Sequence, residues 1–206
     1  MEESTESVER VEERNPHSGE RGGERLSITS GTLVVIDQFM LANEQLYTAR
    51  SEEEKAGASA KDALLRAVHR YGGAVLELAP DTYQVLRDAE QSSIALVPTA
   101  DESAASDVSA FLKGLTTDSG AEKAATHVFI DTRCVVFIDA ALLSGSDFVS
   151  RYTELRRAGN DKAARDFVRE QGGAVRYGFN KYGDELGAFV LDQGRIVALW
   201  PDIAEN

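Results

Sequence analysis

Apolar residues in this chain are gathered into short runs. The strongest lies at Phe129-Ile130-Asp131-Thr132-Arg133-Cys134-Val135-Val136-Phe137-Ile138-Asp139, two apolar stretches that each close on an aspartate. Such a run of β-branched and aromatic residues reads as paired or continuous buried strand and marks the core of a sheet. Near the start, Leu26 and Ile28, then Leu33 to Ile36, give strand character on either side of Thr29-Ser30-Gly31-Thr32, which predicts a hairpin or a bulged strand. Phe39 to Tyr47 is loosely helical, Ser51 to Ser59 is charged and alanine-rich enough to read as a loop, and Lys61 to Tyr71 carries Leu64, Leu65, Val68 and Tyr71 at helical spacing. Gly72-Gly73 supplies the exit from that helix.

Three short strands follow at Ala74–Leu78, Tyr83–Leu86 and Ile94–Val97 and read as an antiparallel meander. Residues 99–126 are rich in Ala, Ser, Asp and Gly, with a helical stripe of Val108, Phe111, Leu112 and Leu115. Beyond the 129–139 run, Ser146 and Asp147 can cap a helix bearing Phe148, Tyr152 and Leu155, and a second helix carries Ala164, Phe167 and Val168. A terminal meander over 174–179, 185–191 and 195–200 turns at Asp192-Gln193-Gly194, and its last strand points to a buried Trp200. Clustered strands with helices between the clusters predict an α+β fold: an antiparallel, β-rich sheet or sandwich flanked by three to four helices. Gly-Gly-Ala-Val occurs twice, at 72–75 and 172–175, each time passing from helix to strand. Its flanks do not align beyond it, so it reads as coincident turn chemistry, with an internal repeat as the competing reading.

Composition adds boundaries. Residues 1–25 are crowded with glutamate and almost bare of large apolar side chains, which predicts a disordered acidic tail ahead of a single domain over 26–206. A formal net charge of −13, from 22 basic and 35 acidic residues, argues against nucleic acid and toward a protein partner with a basic surface. One cysteine allows no internal disulfide and suits a reducing cytoplasm. No signal-peptide order and no apolar stretch near the ~18 residues of a membrane span is present, so no membrane partner is expected.

The candidate chemistry is sparse, with no phosphate loop, nucleophile motif or metal-ligand spacing and no cofactor implied. Three strands end in aspartate, and if their ends met, Asp37, Asp131 and Asp139 would offer hard oxygen ligands to a divalent cation. The simpler expectation is that aspartate ends strands by accepting turn amides. Cys134 opens a buried run and reads as a small apolar residue, and His17, His69 and His127 share no metal spacing. Residues 177–185 mix aromatics, glycines and charges, so Tyr177, Phe179, Tyr182 and Asp184 are candidates for a recognition surface, with a plain hairpin connection as the alternative reading.

The order of these motifs resembles the bacterial domain of unknown function 4241 family, whose members show an early Ser-Gly before an apolar run into Asp-Pro, a middle strand with aspartates around a glycine, and a late Gly-Asp-Gly-x-Tyr. Here Ser30-Gly31-Thr32-Leu33-Val34-Val35-Ile36-Asp37 matches the first, with Gln38 in place of the proline. Asp131 and Asp139 match the second, with Thr132 and Arg133 where glycine is expected, and Gly183-Asp184 matches part of the third, broken by Glu185. The resemblance implies a β-rich antiparallel domain, with an immunity role in bacterial toxin systems for some relatives. It transfers no catalytic residue. The function expected is therefore a non-enzymatic cytoplasmic interaction domain, of accessory or immunity type. The competing readings are a metal-dependent hydrolase using the strand-end aspartates and a structural subunit of a homo-oligomer.

Overall fold

A computed structural model describes residues 24–87, 94–99, 126–127, 134–177, 186–192 and 196–201. The architecture is α+β. Among the described residues, ten strands run in chain order: β1 Glu24–Ile28, β2 Thr32–Asp37, β3 Ala74–Glu77, β4 Asp81–Arg87, β5 Ile94–Pro98, β6 Thr126–His127, β7 Cys134–Asp139, β8 Ala174–Tyr177, β9 Leu186–Asp192 and β10 Ile196–Pro201. The described helices are α1 Gln38–Leu41, α2 Glu44–Lys55, α3 Ala60–Arg70, a 3-10 turn at Ala140–Leu143, α4 Ser146–Arg157 and α5 Asp161–Glu170.

The strands form two antiparallel sheets, one ordered β1-β4-β5-β10-β9-β6 and the other β3-β2-β7-β8. In the smaller sheet the inner strands are apolar at nearly every position and are buried on both faces. Leu33, Val35, Val135 and Phe137 join Leu26, Ile28, Tyr83, Val85 and Leu96 of the larger sheet in one cluster. The opposite face, Val34, Ile36, Val136 and Ile138, is covered by Leu41, Leu46, Leu64, Val68, Phe148, Tyr152 and Val168 from the helices. The result is three layers, sheet on sheet on helices, which explains why β2 and β7 show no polar alternation.

Several expectations from the sequence are corrected by this arrangement. Leu26–Ile28 and Leu33–Ile36 do not form a hairpin, because β1 pairs with β4 in the larger sheet while β2 pairs with β3 and β7 in the smaller. Neither meander stays in one sheet either. β3 and β8 edge the smaller sheet, and only the hairpins β4–β5 and β9–β10 lie in the larger. Residues 51–55 are helical: Asn43 caps α2 through Gln45 N, and the charged face is held by Arg50–Glu54 and by Arg66 and Arg70 on Glu53. The helix after Ser144 is capped by Gly145 without a side-chain hydrogen bond, rather than by Ser146 or Asp147.

Glu24 and Arg25, both placed in the tail by composition, belong to β1. Glu24 accepts Arg169 Nε at 3.2 Å, Arg169 Nη2 at 2.9 Å and the amide of Val175 at 2.7 Å. It thereby ties β1 to α5 and β8. The helical stripe at 108–115, the turn at 192–194 and the side chain of Trp200 lie outside what the structure describes.

The two Gly-Gly-Ala-Val passages occupy equivalent places, contrary to the reading as unrelated turns. Gly72 and Gly172 both adopt positive φ, 77° and 83°, after α3 and α5. At the glycine that follows, an added Cβ would meet Val68 Cγ1 at 2.6 Å and the Val35 carbonyl at 2.8 Å, or Val168 Cγ1 at 2.7 Å and the Phe137 carbonyl at 2.9 Å. Both helix-to-strand passages need a residue without a side chain, for the same two neighbours.

Candidate functional site

The strand-end aspartates are ordered by short-range hydrogen bonding. Asp139 is buried and its carboxylate accepts five donors: the amides of Thr29 at 2.5 Å, Ser30 at 2.9 Å and Ala141 at 2.8 Å, and the hydroxyls of Thr29 at 2.7 Å and of Ser30. Burial raises its pKa, and the bonds from Ser30, Ala141 and Thr29 more than offset this, leaving it at about 2. A carboxylate so fully engaged locks the β1–β2 turn onto the end of β7. It has little lone-pair capacity left for a cation.

Asp37 caps α1 through the amides of Phe39 at 2.5 Å and Met40 at 3.1 Å, so both described aspartates accept turn amides as the residue type favours. The structure does not bring the two together. In the antiparallel pairing Asp37 faces Val135 while Leu33 faces Asp139, which sets the carboxylates four residues apart along the strands, roughly 13 Å at about 3.3 Å per residue. Asp131 lies outside the described residues. Among those that are described, no group of three His, Cys, Asp or Glu side chains converges as a metal site requires.

Cys134 is buried, and burial pushes its thiol up to about 12, so it carries almost no thiolate at neutral pH. Tyr177 ends β8 opposite Cys134. Phe179, Tyr182 and Asp184 fall outside the described residues.

The feature that sequence reading missed lies on the helical face. Phe39, in α1, is 55% exposed, and Arg156 of α4 holds its guanidinium 4.5 Å from the ring centroid. Arg156 is also 2.6 Å from the Asp161 carboxylate, an ion pair that anchors the cation beneath the ring. Beside Phe39, Gln38 Oε1 and Asp37 Oδ2 are buried without a hydrogen-bond partner, an arrangement that typically costs about 1–3 kcal/mol for each unmet group. The only sequence signal was Phe39 in a short polar-apolar stretch; the placement of Arg156 under it depends on tertiary packing.

An open groove of about 430 Å³ runs over the same layer, with Tyr47, Arg50 and Glu54 of α2 on one side and Leu143, Ser144, Gly145 and Val149 on the other. Arg50 bridges it, bonding to Glu54 at 3.0 Å and donating to the Leu143 carbonyl at 2.7 Å. Tyr47 in its lining is engaged: burial raises its pKa, and its hydroxyl donates to the Leu41 carbonyl at 2.6 Å.

The charge is unevenly placed. Residues 38–71 and 140–171, which supply the helical layer, hold eleven basic and ten acidic side chains, whereas residues 1–23 and 88–125 carry nine of the thirteen net negative charges. No described helix is long and apolar enough to cross a membrane. Comparisons with protein-family models, curated proteins and solved structures returned no match.

Proposed function

We propose that this protein is a non-enzymatic binding domain that recognises another protein through the helical face around Phe39. The observation that carries this reading is the exposed Phe39 ring backed by the anchored Arg156 guanidinium. A large apolar side chain left in water is worth little to the fold, while aromatic and arginine anchors of this kind dominate binding energy at protein interfaces. The acidic segments 1–23 and 88–125 supply long-range attraction, which favours a partner with a basic surface. The resemblance to the 4241 family favours an accessory or immunity-type role within that class, and the aromatic segment at Tyr177, Phe179, Tyr182 and Asp184 is a second contact candidate.

A hydrolase built on the strand-end aspartates is the weaker reading, since Asp139 is engaged by five protein donors and stands far from Asp37. The test is a pull-down from the native host with the wild-type chain and with Phe39→Ala, followed by binding measurements on the purified partner over a salt series. Recovery of a basic protein that Phe39→Ala releases faster, with the salt dependence unchanged, supports the proposal. Equal capture by both chains overturns the assignment to Phe39, and turnover of a small substrate without any partner overturns the binding reading.

A further inference from the structure

We infer that the chain is a fused dimer: two copies of one unit made of two strands, a short helical turn, two helices and three strands, each of which buries a self-complementary surface against the other. The partner that either half fits is a second copy of the same unit.

The correspondence is carried by sequence offsets. Every element from β1 to the end of α2 recurs 102 residues later: β2 starts at 32 and β7 at 134, α1 spans 38–41 and the 3-10 turn 140–143, and α2 spans 44–55 while α4 spans 146–157. The residues just past the C-caps of those last two helices, Gly57 and Gly159, both have positive φ. After two deletions in the second copy, the Gly-Gly passages recur at an offset of 100. The final strands Ile94-Ala95-Leu96-Val97-Pro98 and Val197-Ala198-Leu199-Trp200-Pro201 recur at 103.

Strand pairing then supplies an independent check. If the halves are related by a twofold axis, residue i must face the equivalent of its own partner, and one equivalent pair must face itself. In the smaller sheet Val35 pairs with Phe137, its equivalent, and the flanking pairs are reciprocal: Leu33 with Asp139, and Asp37 with Val135. In the larger sheet Ala95 pairs with Ala198, again its equivalent. Both sheet orders read the same from either end once equivalent strands are matched, β1 with β6, β4 with β9 and β5 with β10 outside, β3 with β8 and β2 with β7 inside. Two separate sheets therefore share one pseudo-twofold relation, with its central pairs deep in the packed layers at Val35 and Phe137. The groove on the helical face straddles the same relation, since Tyr47 and Val149, both lining it, are equivalents.

A fused dimer makes a specific demand on connectivity. The 27 residues 99–125 join the first copy to the second, and residues 202–206 followed by 1–23 amount to 28, so joining Asn206 to Met1 and opening the chain within 99–125 gives the same two units in the opposite order with a connector of the same length. The expected result is a monomer of unchanged mass by light scattering, with a native circular dichroism spectrum and a melting temperature within about 5 °C of the parent, as rotation of an interchangeable pair predicts. A second experiment keeps the native order, inserts a protease site between Ser119 and Gly120, and cleaves the folded protein. The two fragments should co-elute as one particle and melt at a temperature that rises with concentration, because they now form a bimolecular complex. If the permuted chain misfolds while the cleaved fragments stay paired in this way, the fault lies in the new connector and the inference stands. Fragments that separate at micromolar concentration overturn it, as does a cleaved protein whose melting is independent of concentration over a hundredfold range.

Discussion

Replacing Asp139 with asparagine isolates the tie between the β1–β2 turn and β7. The substitution keeps the volume and removes the charge, and it turns one acceptor atom into an NH2 donor that faces the amides and hydroxyls of Thr29 and Ser30. The charged contribution follows from the titration. Asp139 stands at about 2 in the fold against an ordinary value of 3.8, a drop of roughly two units, each worth about 1.4 kcal/mol, so the carboxylate contributes about 2–3 kcal/mol at neutral pH. Because the folded pKa is depressed, that stability is fully present above about pH 4 and is lost as pH falls through about 2. Equilibrium urea unfolding of both proteins at several pH values reads it directly. Asp139→Asn should lose about 3 kcal/mol at pH 7, roughly 6–12 °C in melting temperature for a domain of this size. The difference between the two proteins should shrink by about 2 kcal/mol between pH 5 and pH 2, a comparison in which the other carboxylates cancel. A difference below 1 kcal/mol at pH 7, or one that stays constant down to pH 2, would refute the reasoning.

Other outcomes follow from single contacts. Gly73→Ala and Gly173→Ala should each lower stability by about 1–3 kcal/mol and by similar amounts, since the added methyl meets the same valine and strand carbonyl in both places; chemical unfolding of the pair checks this. Deleting residues 1–25 should lower the melting temperature measurably, and Glu24→Gln should reproduce most of the loss, because Glu24 holds Arg169 and the Val175 amide. Phe39→Ala should leave the melting temperature within about 2 °C of the parent, as expected for an exposed side chain. Calcium, magnesium or manganese should leave the thermal midpoint unmoved, since Asp37 and Asp139 cannot ligate one ion together.

Element types were legible wherever burial imposed a strong pattern. The α+β class, the helices around Val68 and Tyr152 and the buried strand ending at Asp139 all follow from apolar runs and turn residues. Strand partners were not legible, because alternation specifies which face is buried and says nothing about which strand lies alongside. The chain crosses between sheets at Thr29-Ser30-Gly31, where ordinary hairpin chemistry conceals a change of layer. The five-residue extension of α2 past Arg50 was hidden by its charge, since a helix face that points at solvent carries no apolar period. Of the site residues, the capping role of the aspartates was legible and their separation was not.

The repeat was the hardest feature to read, and the reason is physical. Residues 24–57 and 126–159 share eight identities in thirty-four positions, too few to align against the background of common strand and helix residues. Core positions tolerate exchange among residues of similar shape, so Leu46 and Phe148 can fill equivalent places, as can Val35 and Phe137, without leaving a match in the sequence. Besides scattered core matches such as Val34 with Val136 and Ile36 with Ile138, what persists are positions where backbone geometry allows few alternatives: the aspartate that caps the turn after each inner strand, the glycine at positive φ after each helix, and the second glycine pressed against a strand carbonyl. Those constraints act on single residues and are scattered through the chain, which is why the four-residue Gly-Gly-Ala-Val was the longest contiguous trace. The departures from equivalence then carry functional weight. Phe39 has Ala141 as its counterpart and Arg156 has Glu54, so the aromatic–cation pair on the helical face belongs to no symmetric pattern. A pair that the second copy does not repeat is the contact to which the proposed binding role is assigned, and Phe39→Ala is its direct test.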